Sequence, residues 1–72
     1  MNIQLQSNKH IGHDVVPASL NEATFFSLYE GEPGSYEWIA DLVTLETARI
    51  AGRALAEHLG HRYIENIVGG NL

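Results

Sequence analysis

The chain contains no cysteine, so no disulfide can staple it. That matters because it has only 72 residues. A chain of this length buries only ~60% of the surface its unfolded form exposes, and small domains usually recruit a disulfide, a metal or a partner subunit. With disulfides excluded, a metal ion and self-association are the remaining helpers. No apolar run approaches the ~20 residues that a membrane-spanning helix needs. The opening Met1-Asn2-Ile3-Gln4-Leu5-Gln6 is neither basic nor a long apolar stretch, so it does not read as a signal peptide. A soluble, cytoplasmic, single-domain protein over residues 1–72 is expected.

Basic residues are scarce as well. Four Lys and Arg stand against nine Asp and Glu, for a net charge of −5 with neutral histidines. Direct binding to nucleic-acid phosphates draws on basic side chains that release counterions, so this composition argues against it. An acidic chain is better matched to a basic protein surface. The imbalance is local: from Glu22 to Glu46 there are six acids and no Lys or Arg.

Chemistry-bearing motifs are also missing. The serines at 7, 19, 27 and 35 carry no nucleophile elbow. Glu30, Glu32, Glu37 and Asp41 offer paired carboxylates, but so short a chain has little material with which to surround a substrate. An enzyme is not expected, and no cofactor is implied.

What is present is a clear change of hydrophobic period. Thr24 to Glu30 reads as a strand, Gly31-Glu32-Pro33-Gly34-Ser35 as a turn, and Tyr36 to Val43 as the return strand. Tyr36, Trp38, Ala40 and Leu42 form a clean apolar row. That row is expected to face the core beside Phe26 and Leu28, with Trp38 among the most buried side chains. Glu37, Ile39, Asp41 and Val43 form the mixed opposite row. From Thr44 the period becomes helical. Thr44 suits an N-cap, Glu46 suits the first turn, and Gly60 suits the C′ position. Leu45, Ala48, Ala51, Gly52, Leu55 and Leu59 fall on one face, leaving Ile50 among charged residues. Leu55 joins Trp38 as an expected core residue. The fold expected is α+β: a small antiparallel sheet, made of hairpin 24–43 plus one or two further strands, packed by one helix at about 45–59.

The flanks read less sharply. Ile3 and Leu5 alternate with glutamines as a short strand, Ser7-Asn8-Lys9 reads as a turn, and His10 to Val16 as a second strand stopped by Pro17. Ser19-Leu20-Asn21-Glu22 has capping-box spacing for one helical turn. His61 to Val68 is strand-like, and Gly69 to Leu72 is expected to fray.

Three surfaces are candidate sites. The acidic hairpin residues Glu30, Glu32, Glu37 and Asp41 form a candidate partner-binding face. Phe25, Tyr29, Ile39 and Ile50 form a candidate homodimer interface, since one helix covers only one side of a sheet. Residues 1–16 are the competing cover for that side. The histidine pairs His10/His13 and His58/His61 suit an alternative reading as a small metal-binding protein, with Asp14 as a further ligand.

The run Phe26-Ser27-Leu28-Tyr29, then Trp38-Ile39-Ala40-Asp41, then Thr44 and an alanine-rich helix resembles small phage and mobile-element accessory proteins. Anti-CRISPR-type inhibitors are one such class. The resemblance covers residues 24–60. It implies a short, acidic, non-catalytic protein that binds another protein, and no functional residues can be carried over from it.

Overall fold

The structure is a computed structural model that describes residues 1–67. Val68 and the tail Gly69–Leu72, expected to fray, lie outside the described residues. The α+β architecture is borne out. The strands are β1 (Asn2–Ile11), β2 (Asp14–Pro17), β3 (Phe25–Glu32), β4 (Ser35–Leu42) and β5 (Arg62–Asn66), with one helix, α1 (Leu45–Leu59). They form one sheet centred on β1. β3 pairs antiparallel with one side of β1, and β4 lies beyond β3 as the edge strand. The other side of β1 is shared. β2 pairs antiparallel with Asn8–Ile11, and β5 runs parallel along Asn2–Gln6.

β1 corrects the expected turn at Ser7-Asn8-Lys9. The strand runs straight through these residues, and the chain turns instead at Gly12, where φ is +63°. Ser7 and Asn8 stay in the strand because their polar groups find buried partners. Ser7 Oγ donates to the Ala18 carbonyl at 2.5 Å and Asn8 Nδ2 donates to Ser27 Oγ at 2.8 Å. Residues 1–16 therefore widen the sheet; they do not fold over its face. Ser19-Leu20-Asn21-Glu22 makes the single turn read from its spacing, with the Glu22 and Ala23 amides both donating to the Ser19 carbonyl.

The helix matches its sequence signals closely. Thr44 Oγ1 accepts from the Thr47 amide at 3.1 Å. At the other end Gly60 has φ +71°, its amide reaches the Glu57 carbonyl, and the His61 amide reaches Ala56. This is the paired hydrogen-bond pattern of a Schellman cap. Ala48, Gly52 and Ala56 are the buried helical residues, with Leu45, Ala51 and Leu55 half-buried around them. Leu59 is more exposed than its wheel position suggests. The small residues allow close approach: a Cβ added to Gly52 would lie 2.7 Å from Tyr63 Cε1. Against them the sheet presents Ile3, Leu5, Phe26 and Leu28, which complete the core.

The main correction concerns β4. Leu28 pairs with Ala40 but Tyr29 pairs with Trp38, so Ile39 is left without a partner. This is a β-bulge, and one inserted residue reverses which face the following side chains take. Leu42 and Ile39 pack toward the core as a result. Trp38 and Tyr36 follow Tyr29 and Gly31 to the side away from the helix. Trp38, expected in the core, is 61% exposed. Ile39, expected on the outer face, helps to line the core.

Candidate protein-binding hairpin

The β3–β4 hairpin turns at Pro33-Gly34. Proline holds φ near −65°, and Gly34 takes φ +88°, the φ pairing of a type II turn. Gly31, at φ +148°, lies directly beneath the Ser35 carbonyl.

On the open side of the sheet, Trp38 is held in place. Its Nε1–H donates to Asp41 Oδ1 at 2.9 Å, and the same oxygen accepts from Ser27 Oγ at 2.6 Å. Ser27 Oγ accepts in turn from Asn8, and Asn8 Oδ1 accepts from Gln6 Nε2 at 2.7 Å. The chain of hydrogen bonds thus crosses β1, β3 and β4. Asn8 and Ser27 are buried, and no buried side-chain polar atom among the described residues lacks a partner. Networks of this kind hold their members in one arrangement. An indole fixed this way is exposed yet not free to swing. On the same face stand Tyr29, which pairs with Trp38 across the ladder, Tyr36, and, farther along β3, Phe25, stacked on His10 with ring centroids 4.8 Å apart.

The structure divides the four acidic candidates. Glu30 and Glu37 face each other across the ladder on the helix side, and Glu32 sits at the tip. Asp41 points to the opposite face, beside Trp38. Glu30 meets His61 Nε2 at 2.8 Å, and Glu32 meets the amino terminus at 2.9 Å. Glu37 and Asp41 have no cationic partner among the described residues. The four interface candidates do not share one surface. Phe25 and Tyr29 are on the open face, Ile39 lines the core, and Ile50 is 63% exposed on the solvent side of α1.

The two histidine pairs lie at opposite ends of β1. His10 precedes the β1–β2 turn, whereas the Arg62 amide, next to His61, bonds to the Met1 carbonyl. Eight strand residues separate these ends, roughly 27 Å at the usual rise, so one ion cannot take ligands from both. Among the described residues no group of three or more His, Asp or Glu is arranged to hold a metal ion. No cavity is found among the described residues.

One cluster had no signal in the sequence. Arg49 grips Glu65 with two hydrogen bonds, of 2.8 and 3.1 Å, and Tyr63 donates to Glu65 Oε2 at 2.7 Å. Arg53 lies 5.2 Å from the centre of the Tyr63 ring. Together these contacts fasten β5 to α1. The hydrogen bonds from Arg49 hold the Glu65 carboxyl below its ordinary value of 4.5, against the opposing effect of burial. Burial, then the hydrogen bond to Glu65, pushes the Tyr63 phenol above its ordinary value of 10.0.

The signs of the two shifts fix their pH windows. Glu65 adds stability above its unfolded pKa that is lost as pH falls through its lower folded value. Tyr63 adds stability below about pH 10 that is lost as the pH rises beyond it. Melting temperature measured from pH 2 to 11 should show a shallower acid limb for Glu65→Gln and a shallower alkaline limb for Tyr63→Phe. Limbs that superimpose on those of the wild type would contradict the cluster.

Comparison with family models, with curated proteins and with solved structures returned no match.

Proposed function

We propose that this protein is a non-enzymatic binding module whose β3–β4 hairpin docks on another protein. It would act as an inhibitor or adapter of the kind suggested by its resemblance to small phage and mobile-element proteins. The observation that carries this reading is Trp38, 61% exposed and pinned by Asp41. Tryptophan is the residue type most enriched among interface hot spots, and a side chain already held in place loses little further freedom on binding. Val43, 79% exposed just beyond β4, extends the apolar contact. Glu30, Glu32 and Glu37 at the hairpin end supply a negative field that favours a basic partner, such as a protein that handles nucleic acid. The partner contact is with protein; neither direct nucleic-acid binding nor membrane insertion is part of the proposal. No helix among the described residues is long and apolar enough to cross a membrane.

The test is site-specific photocross-linking in the cells that naturally carry the protein. A photoreactive residue at Tyr36, on the face of Trp38, should capture a discrete protein. The same probe at Glu57, on the exposed side of α1, should not. Glu32→Lys with Glu37→Lys should abolish the capture while circular dichroism remains native. Capture from Glu57 alone, or capture unchanged by the charge reversal, would overturn the reading.

A further inference from the structure

β4 is the longest edge strand, with eight residues against four in β2 and five in β5. An exposed edge carries unpaired backbone donors and acceptors, and natural sheets commonly blunt it with short strands or with lysine. The short strands β2 and β5 fit that practice. β4 does not: it is long and has no Lys or Arg. Its charges are Glu37 on the helix side and Asp41 on the open side, and Glu46 follows in the first turn of α1. None of these three acids has a cationic partner among the described residues. Lys9, Arg49, Arg53 and Arg62 all belong to other elements, and two of them are already paired with acids, Lys9 with Glu22 and Arg49 with Glu65.

This distribution discriminates between occupants. A second copy pairing antiparallel with β4 would bring four carboxylates, two from each chain, onto one short ladder. A two-fold axis at Glu37 would set the two Glu37 carboxylates directly against each other on the helix side, and one at Asp41 would do the same with the two Asp41 carboxylates on the open side. Like charges directly opposed across strands are destabilising. A strand carrying Lys or Arg meets the opposite situation. Its alternate side chains reach Glu37 on one face and Asp41 on the other, where the cation also lies near the exposed indole of Trp38.

Building on the partner-binding reading above, we infer that β4 accepts an extended, basic segment of the partner as an added strand. Backbone hydrogen bonds would supply affinity, and Glu37, Asp41 and Trp38 would select the sequence. The bulge at Ile39 divides the edge, so the segment registers on Ser35–Trp38 and on Ala40–Leu42.

The probe is a synthetic ten-residue peptide in which pairs of lysines alternate with pairs of valines, Lys-Lys-Val-Val repeated, so that an added strand carries lysine on both faces. Two controls accompany it: the same pattern with glutamate in place of lysine, and the lysine peptide interrupted by proline, which keeps the charge but cannot pair. Binding is read by calorimetry and by amide exchange. The lysine–valine peptide should slow exchange of backbone amides in β4 and bind roughly tenfold or more tightly than the proline-interrupted one, since each kilocalorie or so of lost pairing scales affinity by that order. Glu37→Lys and Asp41→Asn, checked for native circular dichroism, should each weaken it. Equal binding of the two lysine peptides would overturn strand addition and leave the acidic-face reading intact. No binding by either would also overturn it, while cross-linking from Tyr36 judges the broader reading separately. Protection of β4 in the protein alone, with a doubled mass in solution, would make a second copy the occupant and overturn the proposal.

Discussion

Gly31→Ala is expected to destabilise the protein by about 2–6 kcal/mol, combining backbone strain with overpacking. Gly31 sits at φ +148°, where an L side chain is strained, and an added Cβ would overlap the Ser35 carbonyl oxygen. The neighbours cannot withdraw cheaply. Gly31 pairs with Asn2 on one side and Tyr36 on the other, so movement of Ser35 opens the hairpin and movement of β3 opens its ladder with β1. A domain of this size has a total stability on the order of 4–11 kcal/mol, so the variant should be substantially unfolded or sharply less resistant to denaturant. An unchanged urea midpoint would show that the turn does not have this geometry.

Leu5→Ala should be comparably severe, costing about 2–5 kcal/mol as a buried large-to-small change. Leu5 is fully buried at the centre of β1, the strand that holds β3 on one side and β5 on the other. It pairs across the ladder with Leu28, itself against α1. The resulting cavity thus lies where sheet and helix meet. At about 4–8 °C for each kcal/mol, the melting temperature should fall by on the order of 10–30 °C. Ile50→Ala on the exposed side of α1 is the control, expected within about 0.5 kcal/mol of wild type. Similar losses for both variants would contradict the assignment of the core.

How much of this could be read from the residues depends on how local each signal is. The helix was legible because its signals are all local: Thr44 and Gly60 mark its ends, and the small and apolar residues recur at helical spacing. The hairpin was legible from Pro33-Gly34 between two strand-forming runs. Ser7 and Asn8 misled because both are good turn formers. Only tertiary partners, the Ala18 carbonyl and Ser27, keep them in a strand. Trp38 misled for a different reason. The alternation of Tyr36, Trp38, Ala40 and Leu42 is a real period-two pattern, and the bulge at Ile39 breaks it in the middle. A bulge depends on how two strands register, which no single strand reveals. The candidate acidic face was partly legible: Glu30, Glu32 and Glu37 do gather at the hairpin end, and the bulge sends Asp41 to the other face beside Trp38. The pairing of Arg49 with Glu65 joins residues far apart in the chain, and it follows from β5 docking beside β1.

The surface assigned to partner binding stands or falls on Trp38 being in solvent. As the only tryptophan, it reports alone. Acrylamide quenching of the native protein's fluorescence measures its accessibility directly. Quenching close to that of the urea-unfolded chain is expected, with a matching loss of accessibility when the partner binds. A blue-shifted emission shielded from acrylamide in the free protein would place the indole in the core and contradict the account.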